Sequence, residues 1–312
     1  MSQVIDTQPS ATRSQPSRLK VWVECMRLRT LPVSIAGVVM AIALAWWHDK
    51  LQWTPALLCL AFAVLAQVAS NMANEYFDWL KGTDKVGRVG PRRGVTEGDI
   101  KPTTLRLATL IVIAAAAITG CCLLPYGAWW LFPAGVVIML AAIAYSAGPW
   151  PLSYHGLGEA MVFVFFGLVP VNLGYYVITG TLFTPIVFLA SITIGLMGVN
   201  VLLVNNYRDV EDDRAAGKHT AVVIFGRRPA VVAYLINGYM AIAMLTPLWL
   251  TAYFNTVITP AVLVVPIIYL LLHTALWFSL IHRDGSALNP LLGMTASLMA
   301  IFTLSLAAFL IS

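Results

Sequence analysis

Apolar runs separated by short polar breaks make up most of this chain of 312 residues. An α-helix needs ~20 mostly apolar residues to cross a ~30 Å hydrocarbon core. Runs of about that length predict helices over about 30–47, 55–74, 103–124, 127–147, 157–179, 184–204, 229–253, 258–280 and 289–311. Helices are expected because lipid offers no hydrogen-bond partner for an unpaired backbone group. Most breaks are short and carry Pro or Gly, as at Pro125–Gly127 and Gly180–Pro185. Only two connections are long, about 75–102 and 206–228. Residues 1–17, rich in Ser, Gln, Thr and Pro, read as a disordered polar tail. The remaining 18–312 are expected to form one all-α transmembrane domain of nine helices.

Composition and charge support that pattern. The chain is 59% hydrophobic and 11% charged, against about 25% charged residues in a soluble domain. Short cytoplasmic loops collect Lys and Arg. With nine spans, eighteen of the nineteen Lys and Arg residues fall on one side and Lys50 alone on the other. The N-terminus is therefore expected to be cytoplasmic. The basic excess has no aromatic-interleaved basic segment with it, so a nucleic-acid partner is not expected. Cys25, Cys59, Cys121 and Cys122 have no zinc-site spacing and read as small core residues.

Half of the chain's acids gather at two places. Asn74-Glu75-Tyr76-Phe77-Asp78 is followed by Lys81 and Asp84, and Asn205-Asn206-Tyr207-Arg208-Asp209 by Asp213, Arg214 and Lys218. Each places an Asn four residues before an Asp, at the C-terminal end of an even-numbered span. The two segments lie 131 positions apart (205 minus 74), which reads as a weak internal repeat. Residues four apart share a helix face, so Asn74 and Asp78 point one way, as do Asn205, Asp209 and Asp213.

Like charges so close to lipid need a cationic counterpart. Hard oxygen donors suit Mg²⁺, which commonly shares its shell with substrate phosphates. Asp78, Asp84, Asp209, Asp213 and Glu75 are the candidate metal ligands. Lys81, Arg92, Arg214 and Lys218 are interleaved with them, a combination that favours a metal-bridged diphosphate over a bare cation. Tyr145 and Tyr154 flank the Pro-rich turn Gly148-Pro149-Trp150-Pro151 on the same side and are candidates to face a cationic substrate. Glu159 begins the fifth span, either capping that helix or facing substrate.

The paired Asn-x-x-x-Asp motifs and the nine-span count resemble the UbiA superfamily of intramembrane prenyltransferases. Further motifs place the resemblance nearest the branch that prenylates 1,4-dihydroxy-2-naphthoate: Lys81-Gly82-Thr83-Asp84, Gly90-Pro91-Arg92-Arg93-Gly94, Gly148-Pro149-Trp150-Pro151-Leu152, Gly156-Leu157-Gly158-Glu159 and Gly217-Lys218. Glu75 departs from the family, where Asp is frequent at that position. Asp84 lies six residues after Asp78 instead of four, so its contact with metal is less direct than that of Asp78.

The resemblance implies nine helices around a central cavity, in a multi-pass protein of the bacterial inner membrane with its active site on the cytoplasmic side. It implies a polyprenyl diphosphate held through Mg²⁺ on Asp78, Asp209 and Asp213. Asn74 and Asn205 would hydrogen-bond, and Lys81, Arg92 and Lys218 would neutralise charge. The partners implied are polyprenyl diphosphate, an aromatic acid acceptor and membrane lipid. Transfer to 4-hydroxybenzoate, homogentisate or haem stays open. A secondary transporter fits less well, because its ionisable residues belong near the bilayer midplane and here they gather at one face.

Overall fold

The computed structural model describes residues 17–84, 91–255 and 263–311. The predicted tail therefore lies outside the described residues except for Ser17, as do positions 85–90 of the first long connection. The described residues contain helices and no strand.

Ser17 caps α1 (Arg18–Met26) by accepting from the Lys20 N–H. Arg27 takes the left-handed conformation, φ 52°, and ends it. α2 (Leu31–Trp47) follows at a bend of 54°. α3 (Trp53–Leu80) has 28 residues, about 42 Å at 1.5 Å per residue. That exceeds the hydrocarbon core, so its last turns carry Asn74 and Asp78 past the apolar region. α4 (Pro102–Cys121) and α5 (Leu131–Ala144) come next. The fifth predicted span is α6 (Gly158–Val162), a π-helical turn Phe163–Leu168, and α7 (Val169–Thr179).

α8 (Pro185–Arg208) delivers the second motif, and the short α9 (Val210–Ala215) and α10 (Ala221–Phe225) fold the long connection after it. α11 (Arg227–Met244), α12 (Thr246–Asn255), α13 (Val264–Ile281) and α14 (Asn289–Ile311) complete the bundle.

By length and composition, seven helices among the described residues can cross a membrane, or eight if the bent α1–α2 pair is one span. The predicted span 127–147 is the exception: its regular helix is the 14-residue α5, because non-helical residues at 127–130 and 145–147 take up its two ends. Both motifs also differ from expectation. The first connection was expected to open at 75, yet helix continues to Leu80; the second was expected from 206, yet α8 runs to Arg208.

The main apolar core joins α2, α7, α8, α11, α13 and α14. α4 and α5 lie outside it: α4 packs through Leu105 in a second cluster with Val21, Val68 and Met72, and α5 has no buried residue. Cys25 and Cys59 are buried as expected, whereas Cys121 and Cys122 are exposed at the end of α4. Close helix approach needs glycine at one place in particular. A Cβ on Gly167 would lie 2.4 Å from the Gly195 Cα, so the π-helical turn and α8 touch backbone to backbone. Asn200 Nδ2 donates to the Tyr234 carbonyl at 3.0 Å and Thr193 Oγ1 to the Ala241 carbonyl at 2.8 Å. Such intramembrane bonds average about 0.6 kcal/mol; together they fasten α8 to α11 and fix the helix that ends in Asn205 and Asp209.

Candidate active site

The end of α3 presents Asn74 and Asp78 on one face, as their spacing requires. Asp78 is buried, and its two oxygens have different partners. Oδ1 accepts from the Tyr154 hydroxyl at 2.9 Å, and Oδ2 faces Lys218 Nζ at 3.4 Å. Lys218 lies 140 positions away, in the turn after α9. This ion pair joins the two motif-bearing regions directly. Lys81 Nζ and Lys218 Nζ both lie over the Tyr154 ring, 4.8 and 4.9 Å from its centre. Three charged groups and one phenol thus form a compact unit.

Burial, then the neighbouring Asp78 carboxylate, pushes the Tyr154 hydroxyl well above the usual tyrosine range, so it stays protonated and donates. Thr83 Oγ1 lies 3.0 Å from the same hydroxyl. Partial loss of water lowers the pKa of Lys81; Asp78 opposes this and Lys218 adds to it. The Lys81 ammonium is fixed by donation to the Ser146 carbonyl at 2.9 Å. Ser146 also accepts from Asn74 Nδ2 at 2.7 Å, while Asn74 Oδ1 receives Arg27 and, at 3.1 Å, Arg93.

The first connection distributes its bases differently from expectation. Arg92, the predicted diphosphate partner, pairs with Asp99. Its neighbour Arg93 turns inward, 3.2 Å from Asp84 and bonded to Asn74. Asp84 is therefore drawn toward Arg93. Glu75 points to the other side of α3, where Oε1 accepts from the Val95 N–H at 3.1 Å beside Cys25. Its placement serves the fold of the 91–100 segment.

At the end of α8, Arg208 binds both oxygens of Asp209, at 2.6 and 2.7 Å, and also reaches Asn205 at 2.9 Å and Asn289 at 3.0 Å. Arg208 and Asp209 are both buried. Asp213 lies one turn on, in α9, and its backbone N–H bonds the Asp209 carbonyl at 2.8 Å. Arg214 points outward to Glu211 in an exposed pair.

Beyond the charged groups lies an apolar cavity of about 180 Å³ between α2, α3, α4, α5 and the α6–α7 span. Ser34, Gln67 and Ser70 are the other polar residues on its wall besides Tyr145. Tyr145 lines the cavity and is also within electrostatic range of Glu159, Asp213 and Asp78. The two candidate tyrosines therefore separate: Tyr154 supports the carboxylate and lysines, and Tyr145 stands where the charged region meets the cavity. Sequence reasoning did not select Ser146, Arg93, Arg208 or Thr83 as site residues. Arg93, Arg208 and Thr83 each lie inside a sequence motif, and Arg93 and Arg208 are among the bases interleaved with the acids; Ser146 alone has no sequence signal of its own.

Among the described residues no group of three or more His, Cys, Asp and Glu side chains stands ready to hold a metal ion. The donor set is nevertheless suited to one. Asp78, Asp209 and Asp213 are hard oxygen donors from both helix ends, and the 3.4 Å Lys218–Asp78 contact is loose enough for Lys218 to move toward a diphosphate. Asp209 is the tighter case, since Arg208 already holds both of its oxygens and leaves only their remaining lone pairs.

Acids with interleaved bases at the ends of helices long and apolar enough to cross a membrane, together with an apolar cavity between those helices, define a multi-pass membrane protein with a mixed-charge site. A family model agrees: residues 32–298 match the UbiA prenyltransferase family, and the chain belongs to it. It is an intramembrane prenyltransferase. Among its relatives, 1,4-dihydroxy-2-naphthoate octaprenyltransferase of Escherichia coli (strain K12) is 38% identical over 221 residues, 69% of this chain and 71% of that one. The Haemophilus influenzae protein of the same name is 34% identical over 257 residues, covering 78% and 83%. The structure of a UbiA homologue from Archaeoglobus fulgidus bound to DMAPP and Mg²⁺ shares the fold, with a TM-score of 0.62 at 13% identity over 92% of this chain and 99% of that one.

Proposed function

We propose that this chain transfers a polyprenyl group from polyprenyl diphosphate to 1,4-dihydroxy-2-naphthoate, with loss of CO₂. The products are diphosphate and demethylmenaquinone, formed at the hydroquinone level because no electrons are removed. The names of the relatives support the acceptor, and the Mg²⁺- and prenyl diphosphate-bound neighbours support a divalent cation. In our reading the chain crosses a bacterial inner membrane nine times, with α5 as a short span, and its N-terminus and active site are cytoplasmic.

The observation that carries the proposal is the Asp78–Lys218 pair over Tyr154. It links the first motif to the connection that follows the second in one mixed-charge cluster. Asp78 and Asp213 would hold Mg²⁺, with Asp209 contributing through the lone pairs left by Arg208. When bound, the metal would stabilise charge on the departing diphosphate.

The chain's own groups do the rest. Lys81 and Lys218 neutralise diphosphate oxygens from above the Tyr154 ring, and Arg93 adds charge through Asn74. Tyr154 keeps Asp78 oriented by donating to Oδ1. The cavity walls take the first part of the prenyl tail and exclude water, which would otherwise capture the allylic cation. Tyr145 offers its ring to that cation where the cavity begins.

Incubating membranes that contain the protein with labelled farnesyl diphosphate and one acceptor at a time tests the assignment. Prenylation of the naphthoate is expected. Product with 4-hydroxybenzoate, homogentisate or haem, and none with the naphthoate, would overturn the acceptor while leaving the prenyl transfer in place.

A further inference from the structure

Glu159 is an acid outside both motif-bearing connections that the metal and diphosphate chemistry leaves unused. It lies in the first turn of α6, and Met161 and Val162 just after it belong to the cavity wall. Its Oε1 accepts from Asn206 Nδ2 at 2.9 Å, which ties it to the residue after Asn205. Its Oε2 is enclosed and has no hydrogen-bond partner. An enclosed carboxylate oxygen without a donor is costly to keep and marks a place where a ligand hydroxyl would be welcome. Of the charged groups acting on the Tyr145 hydroxyl, Glu159 acts most strongly, ahead of Arg27, Asp213 and Asp78. A Cβ on the adjacent Gly158 would lie 3.5 Å from the Tyr145 hydroxyl, so Glu159 sits in the helix start that packs beside the tyrosine lining the cavity.

We propose that Glu159 is the base that takes the acceptor's ring-hydroxyl proton and later returns it. This rests on the naphthoate reading above. The hydroxyl at ring position 1 gives its proton to Oε2 as the ring's electron pair at position 2 forms the new carbon–carbon bond. The allylic C–O bond breaks, and diphosphate leaves with that bond's electron pair. The ring now carries a ketone at position 1 and both the prenyl group and the carboxylate at position 2, which is a β-keto acid. Loss of CO₂ leaves the enolate at position 1, and Glu159 gives the proton back. Nothing is oxidised, and the carboxyl returns to its starting state.

Positioned general bases contribute about 100- to 10,000-fold in rate. Glu159→Gln keeps an oxygen to accept from Asn206 and removes the proton acceptor. The test compares wild type, E159Q and E159D, purified in detergent, on 1,4-dihydroxy-2-naphthoate and on a ring-fluorinated naphthoate whose hydroxyl is more acidic.

For E159Q we expect kcat lower by about 100-fold or more, with KM for prenyl diphosphate little changed. The deficit should shrink severalfold on the fluorinated acceptor, and E159D should recover part of the rate. Near-wild-type turnover by E159Q, or an equal deficit on both acceptors, overturns the role. If the amide variant does not fold, the same acceptor pair on E159D decides: unequal deficits support the base and equal ones overturn it. Wild type inactive on the naphthoate overturns the acceptor reading, and this role with it; an active wild type beside an undiminished variant overturns the Glu159 role alone.

Discussion

The two Asn-x-x-x-Asp motifs share a spacing but not an electrostatic environment. At the end of α3, Asp78 is held by a neutral phenol and, at 3.4 Å, by a lysine from the other half of the chain. At the end of α8, Asp209 is gripped through both oxygens by the adjacent Arg208, itself anchored to Asn205 and Asn289. Paired motifs therefore need not play equal parts. Asp78 is held by one hydrogen bond and one longer ion pair. Asp209 is half of a buried ion pair that also fastens α8 to the start of α14. Removing one partner of such a pair typically costs about 3–5 kcal/mol, because a charge is left buried and uncompensated.

That contrast can be broken most sharply by single substitutions. Asp78→Ala should lower prenyl transfer by at least ~100-fold, ~2.7 kcal/mol of barrier, and, in thermal unfolding in detergent, lose about 1.5–3 kcal/mol of stability with the Tyr154 hydrogen bond. Asp209→Ala should lose activity and, in the same unfolding assay, about 3–5 kcal/mol of stability as well. Equal stability of the two variants would erase the distinction. Replacing both partners, as Arg208→Met with Asp209→Leu, should recover much of the stability and none of the activity.

A smaller effect is expected at Tyr154. Tyr154→Phe removes a hydrogen bond to a charged acceptor, a contribution of about 1.5–3 kcal/mol, so kcat/KM for prenyl diphosphate should fall about tenfold or more. The smallest should come from Arg214→Ala. Its partner Glu211 is exposed, and exposed pairs contribute ~0–1 kcal/mol, so both activity and unfolding should stay near wild type. A large loss there would show that Arg214 turns toward substrate after all.

The sequence carried much of this because the strongest signals were periodic. Apolar run length placed most helices to within a few residues, and the four-residue spacing put Asn74 with Asp78. The failures fall where periodicity ends. Whether Arg92 or Arg93 enters the site is a one-residue choice in an irregular segment, and no repeat decides it. Ser146 meets Asn74 across 72 positions and has no motif of its own. The two motif-bearing helix ends extend past the predicted boundaries because charges that look like loop residues become compatible with helix once Ser146, Tyr154 and Arg208 satisfy them. α5 falls short of a regular span because residues 127–130 and 145–147 at its two ends are not helical.

The central claim is that both motifs act on one metal–diphosphate unit to drive a decarboxylating transfer. It is tested most directly by supplying the purified protein with polyprenyl diphosphate and carboxyl-labelled 1,4-dihydroxy-2-naphthoate, with Mg²⁺ and then with EDTA. The prediction is one labelled CO₂ and one diphosphate released per prenylated product, stopped by EDTA and restored by Mg²⁺. Prenylated product that retains the label, or turnover that continues in EDTA, would contradict it.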